Sequence, residues 1–182
     1  DGYINLALFD LEQTTSLVST GSGQQTQAGE VTSQSVELEG SVQATEALRL
    51  TAAYTYTDAK TNDTGNGDRQ ASLIPRHQAS FWGNYKVQQG PVSGLEVGTG
   101  VRYIGSSVGI GAVNADYTPI YGSAQVPAQT VWDAMIGYDF AKNWRAQINV
   151  NNLLNDTYVA SCDYYCYYGE PRSIVGTVNY RW

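Results

Sequence analysis

The chain has 182 residues, 42% hydrophobic and 15% charged, with a formal net charge of −7; that is enough for one domain with a core and too little for two large ones. The acidity argues against a nucleic-acid ligand, because phosphate binding relies on a basic surface, and a single histidine makes a histidine-based metal site or catalytic triad hard to assemble. Nineteen glycines and fourteen tyrosines against one methionine favour β-structure over helix, and no apolar run approaches the roughly 20 residues of a membrane-spanning helix.

Alternation with a period of two organises the chain, clearly so from Ser35 onward. The first predicted strand, residues 3–13, is ambiguous: Ile4, Leu6 and Leu8 share one side, and Tyr3, Ala7, Phe9 and Leu11 the other. Asp10 and Glu12 suggest the odd positions as its apolar side, with a bulge as the alternative. The second, residues 36–44, sets Val36, Leu38 and Val42 against Glu37, Glu39 and Ser41. The third, residues 46–57, sets Leu48, Leu50, Ala52, Tyr54 and Tyr56 against Arg49, Thr51 and Thr55. Residues 79–87 set Phe81, Gly83 and Tyr85 against Ser80, Trp82, Asn84 and Lys86. Residues 95–103 set Val97, Thr99, Val101 and Tyr103 against Glu96 and Arg102. Residues 132–140 set Trp132, Ala134, Ile136 and Tyr138 against Asp133 and Asp139, and residues 144–151 set Trp144, Ile148 and Val150 against Arg145 and Asn149. The eighth, residues 174–182, sets Ile174, Val178, Tyr180 and Trp182 against Thr177, Asn179 and Arg181.

The spacers alternate in length. Short ones fall near residues 45–46, 88–94 and 141–143; long, polar or Gly-rich ones fall at about 14–32, 58–76, 105–129 and 155–172. Short turns at one end and long loops at the other predict an antiparallel meander of the outer-membrane type. In the seven clear strands no apolar-face position is charged and Thr99 alone is polar, whereas the opposite faces carry five acids and five bases. Apolar-face aromatics gather at the strand ends: Tyr54, Tyr56, Tyr103 and Trp132 toward the long loops, and Tyr85, Tyr138, Phe140, Trp144, Tyr180 and Trp182 toward the short turns. Two girdles around an aliphatic band fit the two water–lipid interfaces. The competing reading is a water-soluble sandwich with large residues at its rims.

The motifs with catalytic overtones are weak. Gly105-Ser106-Ser107-Val108-Gly109 matches G-x-S-x-G, but no helix follows and His77 precedes it, so a Gly/Ser-rich loop is expected rather than a nucleophile elbow. Asp63-Thr64-Gly65-Asn66-Gly67-Asp68 lacks the ligand register of a calcium loop. Asn62-Asp63-Thr64 and Asn155-Asp156-Thr157 are glycosylation sequons only in a host that reads them. His77 is expected at an interface or in a loop. Cys162 and Cys166 are candidates for metal or for a disulfide; two thiols without a nearby histidine make a poor zinc site, and a local disulfide is favoured in an exported protein. Around them Tyr164, Tyr165, Tyr167 and Tyr168 form either a self-packed loop or an aromatic surface for an extracellular ligand.

Several stretches carry a family resemblance. They are Asn151-Asn152-Leu153-Leu154-Asn155-Asp156-Thr157-Tyr158-Val159-Ala160-Ser161-Cys162, Cys166-Tyr167-Tyr168-Gly169-Glu170-Pro171-Arg172 and the terminal Tyr180-Arg181-Trp182. Ser35-Val36-Glu37-Leu38-Glu39, Tyr54-Thr55-Tyr56-Thr57-Asp58-Ala59 and Val101-Arg102-Tyr103-Ile104-Gly105-Ser106-Ser107 add to them. Together they resemble TonB-dependent ferric-siderophore receptors, nearest the ferrichrome-type hydroxamate group, over essentially the whole chain. The resemblance implies an all-β fold: residues 1–182 as eight meander strands, numbers 15 to 22, at the end of a 22-stranded outer-membrane barrel, without the N-terminal plug. It implies uptake of ferric siderophores, energised through TonB by the absent N-terminal region, and no enzymatic activity. It implies a Cys162–Cys166 disulfide and, more loosely, ligand contacts from Tyr167 and Tyr168, then Tyr164 and Tyr165. No protein cofactor or metal site is expected, because the chelator itself holds the iron. The implied partners are the siderophore, outer-membrane lipid, TonB, the plug and the remaining strands, with no nucleic acid.

Two other readings make distinct predictions. An independent eight-stranded barrel, acting as an adhesin or anchor, requires the first strand to hydrogen-bond to the last. A secreted hydrolase requires activity that depends on Ser107.

Overall fold

The computed structural model describes residues 1–21, 24–62, 68–115 and 119–182, and among them there are strands and turns but no helix. In chain order the strands are β1 (Gly2–Gly21), β2 (Gln24–Gln43), β3 (Leu48–Asn62), β4 (Asp68–Gln70), β5 (His77–Lys86), β6 (Leu95–Ile104) and β7 (Ser107–Val113). They continue with β8 (Pro119–Val126), β9 (Gln129–Ala141), β10 (Trp144–Asn151), β11 (Val159–Asp163), β12 (Tyr165–Tyr168) and β13 (Ser173–Tyr180). The main sheet follows β1-β2-β3-β5-β6-β9-β10-β13 with β4 appended to β3, and all its pairings are antiparallel. Its eight long strands are the eight that the alternation predicts. A second sheet, β12-β11-β7-β8, is built from the long spacers. The calcium-like stretch 63–67 and the residues of the Asn62 sequon beyond Asn62 lie outside the described residues.

Residues directly opposite one another in an antiparallel pair project to the same side, so the register identifies the faces. One row runs through Val42, Leu50, Gly83, Thr99, Ala134, Val150 and Ile174, and the next through Tyr85, Val97, Ile136 and Ile148. These side chains are exposed or half-exposed, with Ile136 and Ile148 both at 46%. A continuous apolar surface of this extent is a surface solvated by lipid. Thr99, the lone polar position, donates its Oγ1 hydrogen to Asp133 O at 3.2 Å and so leaves no unpaired hydroxyl in the band. At the short-turn end the girdle closes on itself: Phe140 and Trp144 have ring centroids 6.2 Å apart, and Trp144 and Tyr180 4.9 Å. At the other end Tyr54 Oη and His77 Nδ1 share a 2.8 Å hydrogen bond and the Tyr56 ring packs tilted against the imidazole with centroids 5.1 Å apart, which places His77 in the outer girdle.

The parity of β1 reverses the expectation. Ile4, Leu6 and Leu8 lie opposite Gly40, Leu38 and Val36, so the even positions join the apolar face and Tyr3, Phe9 and Leu11 point to the polar one. Asp10 and Glu12 mislead because they sit beyond the band, beside Gln34 and Thr32, where the strand has already left the apolar layer. The bulge exists, but further on: the register shifts between Gln13 and Ser16, around Thr15 with φ +59°.

The long spacers are not structureless. β1 extends to Gly21 and β2 begins at Gln24, both inside the expected loop at 14–32, and β3 runs on to Asn62. Thr and Val have ample strand propensity and here stand among Ser and Gln without apolar alternation, so polar strand rising out of the membrane layer looks like loop in a hydropathy pattern. The predicted third strand begins at Leu48 rather than Glu46, because Thr45 Oγ1 accepts the N–H groups of Ala47 and Leu48 and holds a turn there.

β1 and β13 are the two ends of the main sheet, and among the described residues no ladder joins them. The closed eight-stranded barrel fails on this point. On the polar face the Trp82 ring lies across β6, against Gly98 and Gly100, where any Cβ would meet it; an aromatic ring covering a glycine strand restores the contact the missing side chains give up.

Candidate ligand-binding site at the long-loop end

The buried apolar residues Ala59, Ala71, Ile110, Val126, Val131 and Cys162 all belong to the long-loop end, within or against a cap made from three loops. Within the cap the other loops are fastened to β7 by main-chain bonds. Leu73 N donates to Val108 O and Tyr164 N to Ile110 O, each at 2.7 Å, and β11 meets β7 in a parallel bridge at Asp163 and Ile110. Leu73 and Tyr164 hold left-handed backbone conformations, φ +64° and +60°, which cost a bulky residue about 1–2 kcal/mol. In each case the strained residue is the one whose N–H turns onto β7.

The base of the last loop is held by Asn152, which is 2% exposed. Its Nδ2 donates to Asp156 O at 2.9 Å and to Glu170 O at 3.0 Å, and its Oδ1 accepts from Asp156 N at 2.9 Å. Both roots of the loop therefore end on one carboxamide. Asn155 Oδ1 accepts from Arg172 N at 3.0 Å and reinforces the closure. Asn152 and Asn155 adopt φ +51° and +57°, which asparagine tolerates better than other residues with a Cβ.

Cys162 and Cys166 form a disulfide across the β11–β12 hairpin, with Cα atoms 4.0 Å apart. The four tyrosines are exposed: Tyr164 at the turn, Tyr165 and Tyr168 most of all at 74% each. They do not make one surface. Tyr165 and Tyr167 lie opposite Asp163 and Ser161, whereas Tyr168 falls on the side of Cys166 by alternation along β12. Close packing fixes the hairpin on β7: a Cβ at Gly109 would run into the carbonyl of Cys162. Gly109→Val is expected to undock the hairpin, raising proteolytic cleavage within residues 159–168 about tenfold while the main sheet stays protected; unchanged cleavage would refute the docking.

Below the cap the polar face carries a group that sequence reasoning did not single out. Asp133, 9% exposed, accepts from Arg102 Nε at 2.6 Å and Nη2 at 3.1 Å, and its Oδ1 also accepts from Asn152 N at 2.9 Å. Gly100 lies opposite Asp133 and is covered by the Trp82 ring, so the acid is approached from Arg102, the next residue on the same face of β6. At the short-turn end Arg145 reaches across β9 over Gly137 to Glu96 at 2.5 Å and to Asp139 at 3.2 Å, and Lys86 meets Asp139 at 2.8 Å. Asn84 also donates to Glu96. The only advance signal for these pairs was the balance of five acids and five bases on the polar faces; which acid meets which base depends on register.

The G-x-S-x-G stretch leads from β6 into β7, a strand, and Ser107 is 7% exposed. It has neither the strand-to-helix turn nor the accessibility of a nucleophile. Among the described residues no group of three or more His, Cys, Asp or Glu side chains is placed to hold a metal ion.

An antiparallel sheet with an apolar, aromatic-girdled outer face, a charge-paired inner face and a loop cap at one end is a stretch of outer-membrane barrel wall. A family model described as TonB dependent receptor-like, beta-barrel matches residues 1–153, and the chain belongs to that family, whose members are receptors and transporters of the bacterial outer membrane rather than enzymes. It is 36% identical over 184 residues to the ferrichrome outer membrane transporter/phage receptor of Escherichia coli K12, covering 96% of this chain and 23% of that protein. It is 39% identical over 160 residues to the ferrioxamine B receptor of Salmonella typhimurium, covering 84% of this chain and 22% of that protein. The crystal structure of the ferric-catecholate import receptor Fiu from E. coli K12 superposes with a TM-score of 0.74 at 28% identity, over 98% of this chain and 25% of that one. The chain thus spans roughly a quarter of the length of the curated relatives it matches.

Proposed function

We propose that the chain forms strands 15 to 22 of a barrel of about 22 strands in an outer-membrane receptor for ferric siderophores of the hydroxamate class. The observation that carries this reading is the identity with ferrichrome and ferrioxamine B receptors, 36% and 39% over 96% and 84% of the chain. The iron is cargo, wrapped in the oxygen atoms of its chelator, so the protein needs donors and aromatic surface rather than metal ligands. Energy for release into the periplasm enters through TonB at the N-terminal region of the complete protein, and a plug domain fills the lumen beside this wall.

In this reading the disulfide hairpin offers its tyrosines to the incoming chelate, Tyr167 from one side of the hairpin and Tyr168 from the other, with Tyr164 and Tyr165 beside them. The test is ferrichrome binding by the complete receptor, followed by tryptophan fluorescence quenching. The Tyr167→Ala/Tyr168→Ala double variant is expected to weaken binding about tenfold. Unchanged affinity would remove these tyrosines from the site, and no binding by the unaltered receptor would remove the substrate class.

A further inference from the structure

At the long-loop end of β3, β5 and β6 there is a depression of about 310 Å³ whose lining combines the polar-face residues Ala53, Thr55, Gln78, Ser80, Arg102 and Ile104 with the intervening Ala79 and Tyr103. Two cross-strand rows build it: Ala53, Ser80 and Arg102 are register partners, and so are Thr55, Gln78 and Ile104. It is hollow because the side chains beside Arg102 are short. Its floor and rim offer hydrogen-bond donors from Thr55, Gln78, Ser80 and the guanidinium.

Arg102 is the one cation of this lining, and its charge is already matched. Nε and Nη2 are held by Asp133, and the Glu170 carboxylate at the root of the disulfide loop also acts on it electrostatically. Nη1 has no hydrogen-bond partner among the described residues, and the side chain is 47% exposed. The depression therefore presents a directional donor without net positive charge.

That combination discriminates between chelates. Three hydroxamates together cancel the charge of Fe(III) and leave a neutral complex studded with oxygen acceptors. Three catecholates leave a complex with three negative charges. A neutral ligand covering an unmatched guanidinium would bury an uncompensated charge, at high cost, whereas a polyanion needs such a charge to repay its own desolvation and is repelled by a carboxylate held nearby. We propose that this depression is a polar subsite for the chelate and that Asp133, a specificity-determining residue that itself stays out of contact, selects uncharged chelates by neutralising Arg102. The proposal rests on the ferric-siderophore reading above.

The test uses the complete receptor titrated with ferrichrome and with a synthetic ferric tris-catecholate. Asp133→Asn keeps an oxygen for the Asn152 N–H but removes the charge. It is expected to shift the preference about tenfold toward the tris-catecholate, and adding Arg102→Gln is expected to abolish that gain, which a merely structural role for Asp133 would not do. Glu170→Gln, whose side chain holds no loop contact described above, is expected to shift the preference in the same direction by a smaller factor and serves if Asp133→Asn fails to assemble. A preference unmoved in every folded variant, with ferrichrome still bound by the unaltered receptor, overturns this proposal alone. No ferrichrome binding by the unaltered receptor overturns the underlying reading instead.

Discussion

Replacing Asn152 with alanine is expected to release the whole loop between β10 and β13 while leaving the barrel wall intact. The substitution deletes three hydrogen bonds made by a side chain that is 2% exposed and strands their partners at the loop roots. Each such loss costs about 1 kcal/mol net and more where a group is left buried and unpaired, and alanine is also poorer at φ +51°. The total is about 3 kcal/mol, which corresponds to roughly a hundredfold faster amide exchange across residues 155–172. Hydrogen–deuterium exchange on the complete receptor reads this directly. Exchange that stays slow in that segment would show that the disulfide and the β7 contacts suffice without the carboxamide.

The second large effect concerns the membrane band. Ile136 lies in a row of apolar side chains facing outward, next to Val97 and Ile148. Arginine there is expected to cost about 2–4 kcal/mol, the range for a cation near the bilayer midplane on a barrel's lipid face. The same substitution at Asn149, on the other face of the neighbouring strand β10, is expected to cost well under about 1 kcal/mol. Refolding of the complete receptor from urea into phospholipid vesicles, read by heat-modifiable gel migration, measures both. Equal costs at the two positions would contradict the assignment of the faces.

The wall was legible in the sequence because a half-buried strand writes its environment every second residue. Leu48, Leu50, Ala52 and Tyr54 specify a face whatever their partners are, and the slightly negative mean hydropathy of −0.32 conceals that face because alternation cancels in an average. β1 was misread because its apolar residues occupy both sides, and register with β2, not composition, decides between them. The cap was hidden for a related reason: β7, β8, β11 and β12 are short, rich in Gly, Ser and Tyr, and pair through the backbone. Asp133, Arg102 and Asn152 were visible as polar residues, the last within a quoted motif, but their convergence needs strands β6 and β9 side by side and the chain turned at φ +51°. The cysteines were legible, whereas the division of the four tyrosines between two sides followed only from the pairing of Asp163 with Tyr165.

The fastening of the cap has an evolutionary consequence. Its seams are Leu73 N to Val108 O, Tyr164 N to Ile110 O and the Asp163–Ile110 bridge, all of them peptide groups, which every residue except proline can supply in full. The exposed tyrosines of the hairpin are therefore excused from holding the loops together. Mutation can trade Tyr165 or Tyr168 for other residues while the scaffold beneath keeps its shape. Drift should thus run fast at these exposed positions and slow at Gly109 and Asn152, where the fold tolerates few alternatives.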